Sequence, residues 1–169
     1  MPERRGRQKI RRLNTILSDE HMSSRLPSHL WTVRHGESAG NVARDRALSA
    51  GSRTIDLSER DMDVPLSALG RPQAQSLGRW FGELPPNPSP EVILSSPYLR
   101  AKDTAMLIQQ HCGSEATLLV DERLREKEFG ALDRLTKSGI EALFPDQALL
   151  RAEIGKFYYR PPSGESWCD

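Results

Sequence analysis

The sequence predicts an α/β protein in which helices cover both faces of a mostly parallel sheet, a three-layer α/β/α sandwich. Short apolar runs alternate with longer segments whose apolar residues recur at helical spacing, and this alternation is typical of parallel sheets. Polar and ionisable residues follow the apolar runs. Open parallel sheets bind their ligands at the carboxyl ends of the strands, where these residues would lie. The 169 residues, 37% of them hydrophobic, suffice for one domain with a core.

The composition excludes several classes of function. The net charge of +1 gives no support to a nucleic-acid-binding role, and no apolar run approaches the ~20 residues of a membrane span. The start of the chain lacks the apolar stretch and cleavage site of a secretory signal, so we expect a cytoplasmic protein. Four scattered histidines and two cysteines, Cys112 and Cys168, form no metal-ligand pattern. We therefore expect no metal and no cofactor.

The first stretch differs from the rest of the chain. Six basic residues lie between Arg4 and Arg12, with almost no apolar residue that could offset the entropy of ordering. We predict a disordered basic extension over residues 1–27 and one domain over residues 28–169. Basic arms can attract nucleic acid or anionic lipid, which is the weaker alternative for this segment.

The elements follow in order from Leu30. Leu30–Val33 predicts a first, buried strand, and residues 37–64 predict a long polar connection, of the kind that borders a site. Residues 65–84 predict a helix with Ser67 as its N-cap and an irregular first turn at Pro72. Its buried stripe consists of Ala74, Leu77, Phe81 and Leu84.

The second half of the chain continues the same alternation. Val92–Leu94 and Thr117–Val120 predict the second and third strands. Between them, "YLRAKDTAMLIQQH" predicts a helix with Ala101, Ala105 and Ile108 on one face. Two further helical pieces are expected in "KSGIEALFPD" and "QALLRAEIGKFYYR".

The three predicted strands end in residues that suit phosphoryl transfer. Arg34 and His35 end the first strand, Arg100 follows the second, and Arg125 and Glu126 follow the third. Arginine matches phosphate oxygens bidentately, a neutral histidine can attack phosphorus, and a carboxylic acid can protonate the leaving oxygen. Because parallel strands end at one edge of the sheet, the set predicts a metal-free phosphohistidine mechanism.

Five segments in this order resemble the motifs of the histidine phosphatase superfamily, the phosphoglycerate mutase-like proteins. They are "VRHGESAGN", "PLSALGRPQAQSLG", "LSSPYLRAKDTA", "LREKEFGAL" and "PPSGES", and they extend over Leu30 to Asp169. The resemblance implies a phosphoglycerate mutase-like α/β fold and phosphomonoester hydrolysis on small phosphorylated substrates.

Carried onto this sequence, the resemblance also implies roles for single residues. His35 is the phosphorylated nucleophile, Arg34 and Arg100 bind the phosphate, and Asn41 adds a donor. Glu126, four residues before Gly130, is the proton donor, with Glu128 as the alternative. Ser163, Gly164 and Glu165 fall in the family's Gly-Glu-Ser stretch, which is a structural turn.

The sequence departs from the family at two points. The family places a second histidine on a later strand beside the first one, whereas the only histidine after His35 is His111. We therefore expect a chain truncated before its C-terminal strands, with the first strand deprived of backbone partners. The sequence also lacks the Phe-Thr-Gly-Trp segment of phosphoglycerate mutases, which favours hydrolysis over mutase activity. A non-catalytic relative that binds a phosphorylated ligand or a protein remains an alternative, and the oligomeric state stays open.

Overall fold

A computed structural model describes residues 27–85, 89–113 and 115–169. Residues 27–32 and 33–169 belong to two separate units. In the first, the His29 and Trp31 rings stack with centroids 5.6 Å apart. The predicted basic segment before residue 27 lies outside the described residues.

The predicted α/β class with parallel strands is confirmed. Strand β1 (Val92–Ser95) pairs in parallel with β2 (Thr117–Val120), with Val92 opposite Thr117 and Ser95 opposite Val120. Both strands lie within a residue of their predicted bounds. Helix α3 (Leu99–His111) connects them, since two parallel strands need a crossover connection. Apolar side chains of this two-stranded sheet are exposed, among them Val92, Leu94, Leu119 and Val120.

Helix α2 (Gly70–Glu83) packs along α3, and together they form the core of the unit. Ala74 and Phe81 of the predicted stripe are buried, as are Ala105 and Ile108 of α3. Trp80, which lies outside this stripe, is 46% exposed. The helices approach closely at Gly78, where an added Cβ would lie 2.8 Å from the Cβ of His111.

The start of α2 explains how Pro72 is tolerated. The N-cap of α2 is Leu69 rather than the predicted Ser67, so the helix starts later than predicted. Ser67 Oγ nevertheless accepts hydrogen bonds from the amides of Leu69 (3.2 Å) and Gly70 (3.0 Å). Pro72 is the third helical residue, and an amide there would have no intrahelical partner. The predicted disruption is therefore absorbed in the first turn.

The predicted first strand, Leu30–Val33, is wrong for the described residues, because these positions carry no regular secondary structure. Leu30 is 80% exposed and Val33 is 44% exposed. A strand requires hydrogen bonds to a neighbouring strand, and the described sheet consists of β1 and β2.

The prediction of a purely polar connection over residues 37–64 is also wrong. It contains helix α1, Ala39–Ser49, followed by a 3-10 turn at Asp61–Asp63. Ser38 and Asn41 form a capping box at its start. Only Ala47 of α1 is buried, so the helix has almost no apolar stripe by which the sequence could predict it.

The two helical pieces near the end are confirmed. Helix α4 is Lys137–Leu143, and α5 is Pro145–Tyr158 with a kink at Gly155, where φ is +80°. Two further 3-10 turns, Glu122–Leu124 and Gly130–Leu132, lie between β2 and α4. The segment that contains Glu126 therefore lies between two short turns.

Candidate active site

The backbone around His35 is held by its close approach to α2. An added Cβ on Gly36 would lie 2.5 Å from the carbonyl oxygen of Gly70, so only glycine fits there. The Gly36 amide donates to Thr104 Oγ1 at 3.1 Å, and the Glu37 amide donates to Gln73 Oε1 at 2.8 Å. Residues 35–37 are thus positioned by α2 and α3 without a paired strand.

The half-buried ring of His35 has one nitrogen engaged and one available. Nδ1 lies 2.7 Å from the carbonyl oxygen of Gly36. A carbonyl oxygen can only accept, so Nδ1 carries the proton in the neutral ring and Nε2 keeps its lone pair. The geometry therefore suits a nucleophile at Nε2.

Burial lowers the pKa of His35 below its ordinary value of 6.5. The positive charges of Arg100 and Arg34 lower this pKa further, while the hydrogen bond to Gly36 and the charge of Glu126 act in the opposite direction. Arg34, Arg100 and Glu126 are thus close enough to His35 for their charges to shift its pKa.

Asn41 lies at the start of α1, directly after the His35 loop. Its Oδ1 accepts a hydrogen bond from the Ser38 amide at 3.1 Å, and its own amide donates to Ser38 Oγ at 3.1 Å. The side-chain oxygen is therefore used in capping. The side-chain NH₂ group is the part of Asn41 that can donate to a phosphate.

Arg100, at the start of α3, is buried, and one edge of its guanidinium is occupied by Asp61. Nη1 donates to the Asp61 backbone oxygen (2.6 Å) and to Oδ1 (2.9 Å), and Nη2 donates to Oδ2 at 3.3 Å. Arg100 Nε makes no hydrogen bond within the described part of the chain. Every fully enclosed side-chain nitrogen in that part has a hydrogen-bond partner. The edge of the guanidinium that carries Nε is therefore the edge that Asp61 does not use.

Tyr98 connects Arg100 to the segment that carries the candidate acids. The Arg100 guanidinium lies 4.9 Å from the centre of the Tyr98 ring. The Tyr98 hydroxyl donates to the carbonyl oxygen of Glu126 at 3.3 Å. The buried Tyr98 side chain thereby ties the residues after β1 to the residues after β2.

Glu126 and Glu128 face different cavities. Glu126 lines a cavity of about 360 Å³ together with Lys127, Arg151 and Lys156. Glu128 lines another, of about 370 Å³, with Asp61 and Tyr98, and its charge raises the pKa of Tyr98 after the larger effect of burial. The carboxylate of Glu126 is the one whose charge raises the pKa of His35. This favours Glu126 over Glu128 as the acid of the site.

Of the remaining histidines, His111 is the one that lies in the described part of this unit. His111 is at the end of α3, where Nδ1 bonds the Leu107 carbonyl oxygen at 2.8 Å. His29 belongs to the other unit, and His21 is outside the described residues. Across residues 27–85, 89–113 and 115–169, no three potential ligand side chains cluster around a possible metal position. No helix in those ranges is both long enough and apolar enough to cross a bilayer.

Sequence reasoning missed two residues of the site. Thr104 Oγ1 donates to the Arg100 carbonyl oxygen at 2.7 Å while it accepts from Gly36. Its spacing of four residues from Arg100 places both on one helix face, so this residue could have been found. Asp61 lies 39 positions before Arg100, and no local pattern connects the two.

A family model described as the histidine phosphatase superfamily (branch 1) matches residues 30–169. The chain belongs to the histidine phosphatase superfamily. The match extends over the predicted motifs, from Leu30 to the last residue.

Curated members of the superfamily carry both phosphatase and mutase names. The chain is 34% identical over 139 residues to the probable phosphoglycerate mutase GpmB of Salmonella choleraesuis, covering 81% of this chain and 55% of GpmB. It is 34% identical over 140 residues to glucosyl-3-phosphoglycerate phosphatase of Mycobacterium tuberculosis, covering 83% and 54%. This superfamily member thus spans about half the length of the curated relatives it matches.

Solved structures agree with the phosphoglycerate mutase-like α/β fold. The native mycobacterial glucosyl-3-phosphoglycerate phosphatase aligns with a TM-score of 0.57 at 34% identity, covering 79% of this chain and 53% of that structure. Bacillus stearothermophilus YhfR aligns with a TM-score of 0.58 at 28% identity, covering 80% and 58%. The described helices and parallel strand pair therefore form part of a larger fold in these relatives.

Proposed function

We propose that this chain carries the nucleophile half of a phosphomonoester hydrolase that works through a phosphohistidine on His35. The observation that carries the proposal is the hydrogen bond from Nδ1 to the Gly36 carbonyl oxygen. It fixes the tautomer in which Nε2 is the nucleophile. The lowered pKa of His35 supports the same role, because only the neutral ring can attack.

The proposed reaction proceeds in two steps. In the first, Nε2 forms a bond to phosphorus, the ester P–O bond breaks, and Glu126 gives its proton to the leaving oxygen. In the second, water attacks phosphorus and gives a proton to the Glu126 carboxylate, the N–P bond breaks, and inorganic phosphate leaves. Each step transfers one phosphoryl group, and atoms and charge balance over the cycle.

The phosphoryl group requires positive charge and hydrogen-bond donors around it, which Arg34, Arg100 and the Asn41 side-chain NH₂ would supply. The Nε edge of Arg100 is the open edge of its guanidinium, since Asp61 occupies the other. Three donors of this kind offset the charge that builds up in the transition state without a metal ion.

The substrate that fits best is a phosphomonoester with a second anionic group. Glu126 shares its cavity with three cations, Lys127, Arg151 and Lys156, which would attract a further negative charge on the substrate. His35 does not line this cavity, so the cavity would take the second anionic group rather than the phosphate. Two relatives are named for phosphoglycerates, and glycerate carries a carboxylate beside its phosphate. Small phosphorylated acids are therefore the first substrates to assay.

The direct test is chemical trapping of the intermediate. The chain is incubated with a ³²P-labelled phosphomonoester, quenched in base, and checked for acid-labile label. We expect label on the native chain and on His111→Asn, whose histidine lies at the end of α3, and none on His35→Asn. Label that survives His35→Asn would disprove the assignment of His35.

Two alternatives have outcomes of their own in this test. The GpmB relative favours a mutase reaction, in which the label would pass to a phosphoglycerate acceptor rather than to water. A phosphate-binding protein without catalysis would bind inorganic phosphate through Arg34 and Arg100 but would never acquire the label.

A further inference from the structure

We infer that Glu165 is a positioning residue for Glu126, an inference that rests on the proposed function. Glu165 follows the turn formed by residues 161–164, and Glu126 lies between two 3-10 turns some 39 positions earlier. The two residues come together only in the folded chain.

The residues on both sides of Glu126 are bound to Glu165. Arg125 Nη1 donates to Glu165 Oε2 at 2.8 Å, and Nη2 pairs with Oε1. The Glu128 amide donates to Oε2 at 2.9 Å, and Lys127 Nζ donates to the Glu165 carbonyl oxygen at 2.8 Å. The Glu165 amide donates to the Glu128 carbonyl oxygen at 2.9 Å. One residue thus holds the position before Glu126 and both positions after it.

Two glycines let the turn approach this closely. Gly130 has φ of +55°, and an added Cβ would lie 2.2 Å from the Pro162 carbonyl oxygen. An added Cβ on Gly164 would lie 2.7 Å from the Glu128 carbonyl oxygen. The Ala131 amide donates to the Pro162 carbonyl oxygen at 2.9 Å. The contact between the two segments is therefore built from backbone as well as from the Glu165 carboxylate.

The Glu126 side chain has no comparable support of its own. Among the residues that the structure describes, its carboxylate makes no hydrogen bond, while its backbone oxygen accepts from Tyr98. The direction of the carboxylate is then set by the backbone on either side, which Glu165 holds. The hydrogen bonds from Arg125, followed by the one from the Glu128 amide, lower the pKa of Glu165 to about 2, so Glu165 is ionised wherever the site operates.

The test uses the dependence on leaving group, because Glu126 protonates the leaving oxygen. A poor leaving group such as that of glycerol phosphate needs this proton, whereas 2,4-dinitrophenolate leaves without it. We expect Glu165→Gln to lower kcat/KM for glycerol phosphate about tenfold or more and kcat/KM for 2,4-dinitrophenyl phosphate less than about twofold. The ratio kcat/KM is the quantity compared because it covers only the step in which the leaving group departs, and not the later hydrolysis of the phosphohistidine that both substrates share. Asp121→Asn is the matched control, because Asp121 pairs with Arg123 in the same loop, and it should leave both rates unchanged.

Glu126→Gln separates this inference from the proposed function. It should show the same leaving-group dependence, and Glu165→Gln should add little to it in the double variant. Equal slowing of both substrates by Glu165→Gln alone would overturn the positioning role. Absence of any leaving-group dependence in Glu126→Gln would overturn the assignment of the acid itself, and the positioning role with it.

A second measurement does not depend on turnover. Amide hydrogen exchange over residues 125–130 should become faster in Glu165→Gln and stay unchanged in Asp121→Asn. Unchanged exchange in Glu165→Gln would show that the carboxylate does not hold this segment, and would overturn the inference even in a chain without activity.

Discussion

The guanidinium of Arg100 is paired with the carboxylate of Asp61, with Nη1 2.9 Å from Oδ1 and Nη2 3.3 Å from Oδ2. The sequence assigns Arg100 to phosphate binding, and the pairing leaves only its Nε edge for that role. The Arg100 side chain is 9% exposed and the Asp61 side chain is 43% exposed. The pair therefore lies between a surface ion pair and a buried one.

Asp61→Asn should destabilise the fold by about 1–2 kcal/mol, between the values typical of exposed and buried pairs. The cause is that a mostly buried arginine loses its counter-charge. The free energy of unfolding from urea titration measures this. Asp63→Asn, in the same 3-10 turn, removes an exposed pair with Arg60 and should cost less than about 0.5 kcal/mol. Equal losses in the two variants would contradict the structural role of Asp61.

Gly36→Ala should destabilise the unit by about 1–3 kcal/mol, since the new Cβ would overlap the backbone of Gly70 and force the His35 loop to move. The control is Gly40→Ala in α1, where the new Cβ would lie 3.4 Å from the nearest atom, a side-chain carbon of Val64. That variant should be neutral or stabilising, because alanine favours helix more than glycine does. The measurement is the melting temperature of both variants in thermal unfolding. Similar melting temperatures would refute the close contact between Gly36 and Gly70.

Thr104→Val should cost about 1–3 kcal/mol, because it leaves the Gly36 amide and the Arg100 carbonyl oxygen without their hydroxyl partner. Thr104→Ser keeps the hydroxyl and should recover most of this loss. Urea unfolding of the two variants is the measurement. If the serine variant were as unstable as the valine variant, the methyl group rather than the hydroxyl would be responsible.

The imidazole of His35 should titrate below pH 6.5, since burial and the nearby arginines lower its pKa. Its folded-state pKa is below the unfolded value, so this group weakens folding as the pH falls through 6.5 towards the folded value. NMR titration of the ring protons measures the midpoint. Arg34→Gln should raise the pKa of His35 by removing a positive charge. Arg79→Gln, at an exposed position of α2, should not change it. A midpoint above 6.5 in the native chain would contradict the burial of the ring.

The sequence predicted helices and strands well where a pattern of neighbouring residues is enough to stabilise them. The strands β1 and β2 follow from short apolar runs, and α2 and α3 follow from apolar residues at helical spacing. Helix α1 was missed because its stability depends on the capping box of Ser38 and Asn41 rather than on an apolar stripe. Leu30–Val33 has the composition of a strand, but a strand exists only with a hydrogen-bonded neighbour.

The sequence by itself determined which residue types this protein brings to its site: a histidine, two arginines and a glutamate, each placed directly after an apolar run. Those residue types define the groups that are available: a nucleophile, two cations that can bind phosphate and an acid. Tertiary structure alone decided which nitrogen of His35 is free, which edge of Arg100 Asp61 occupies, and that Glu165 holds the backbone around Glu126. The last two outcomes depend on hydrogen bonds between residues about 40 positions apart, and the first depends on the packing of α2 and α3 against the backbone that carries His35 and Gly36. Such contacts form only when the chain has folded, so no local pattern records them.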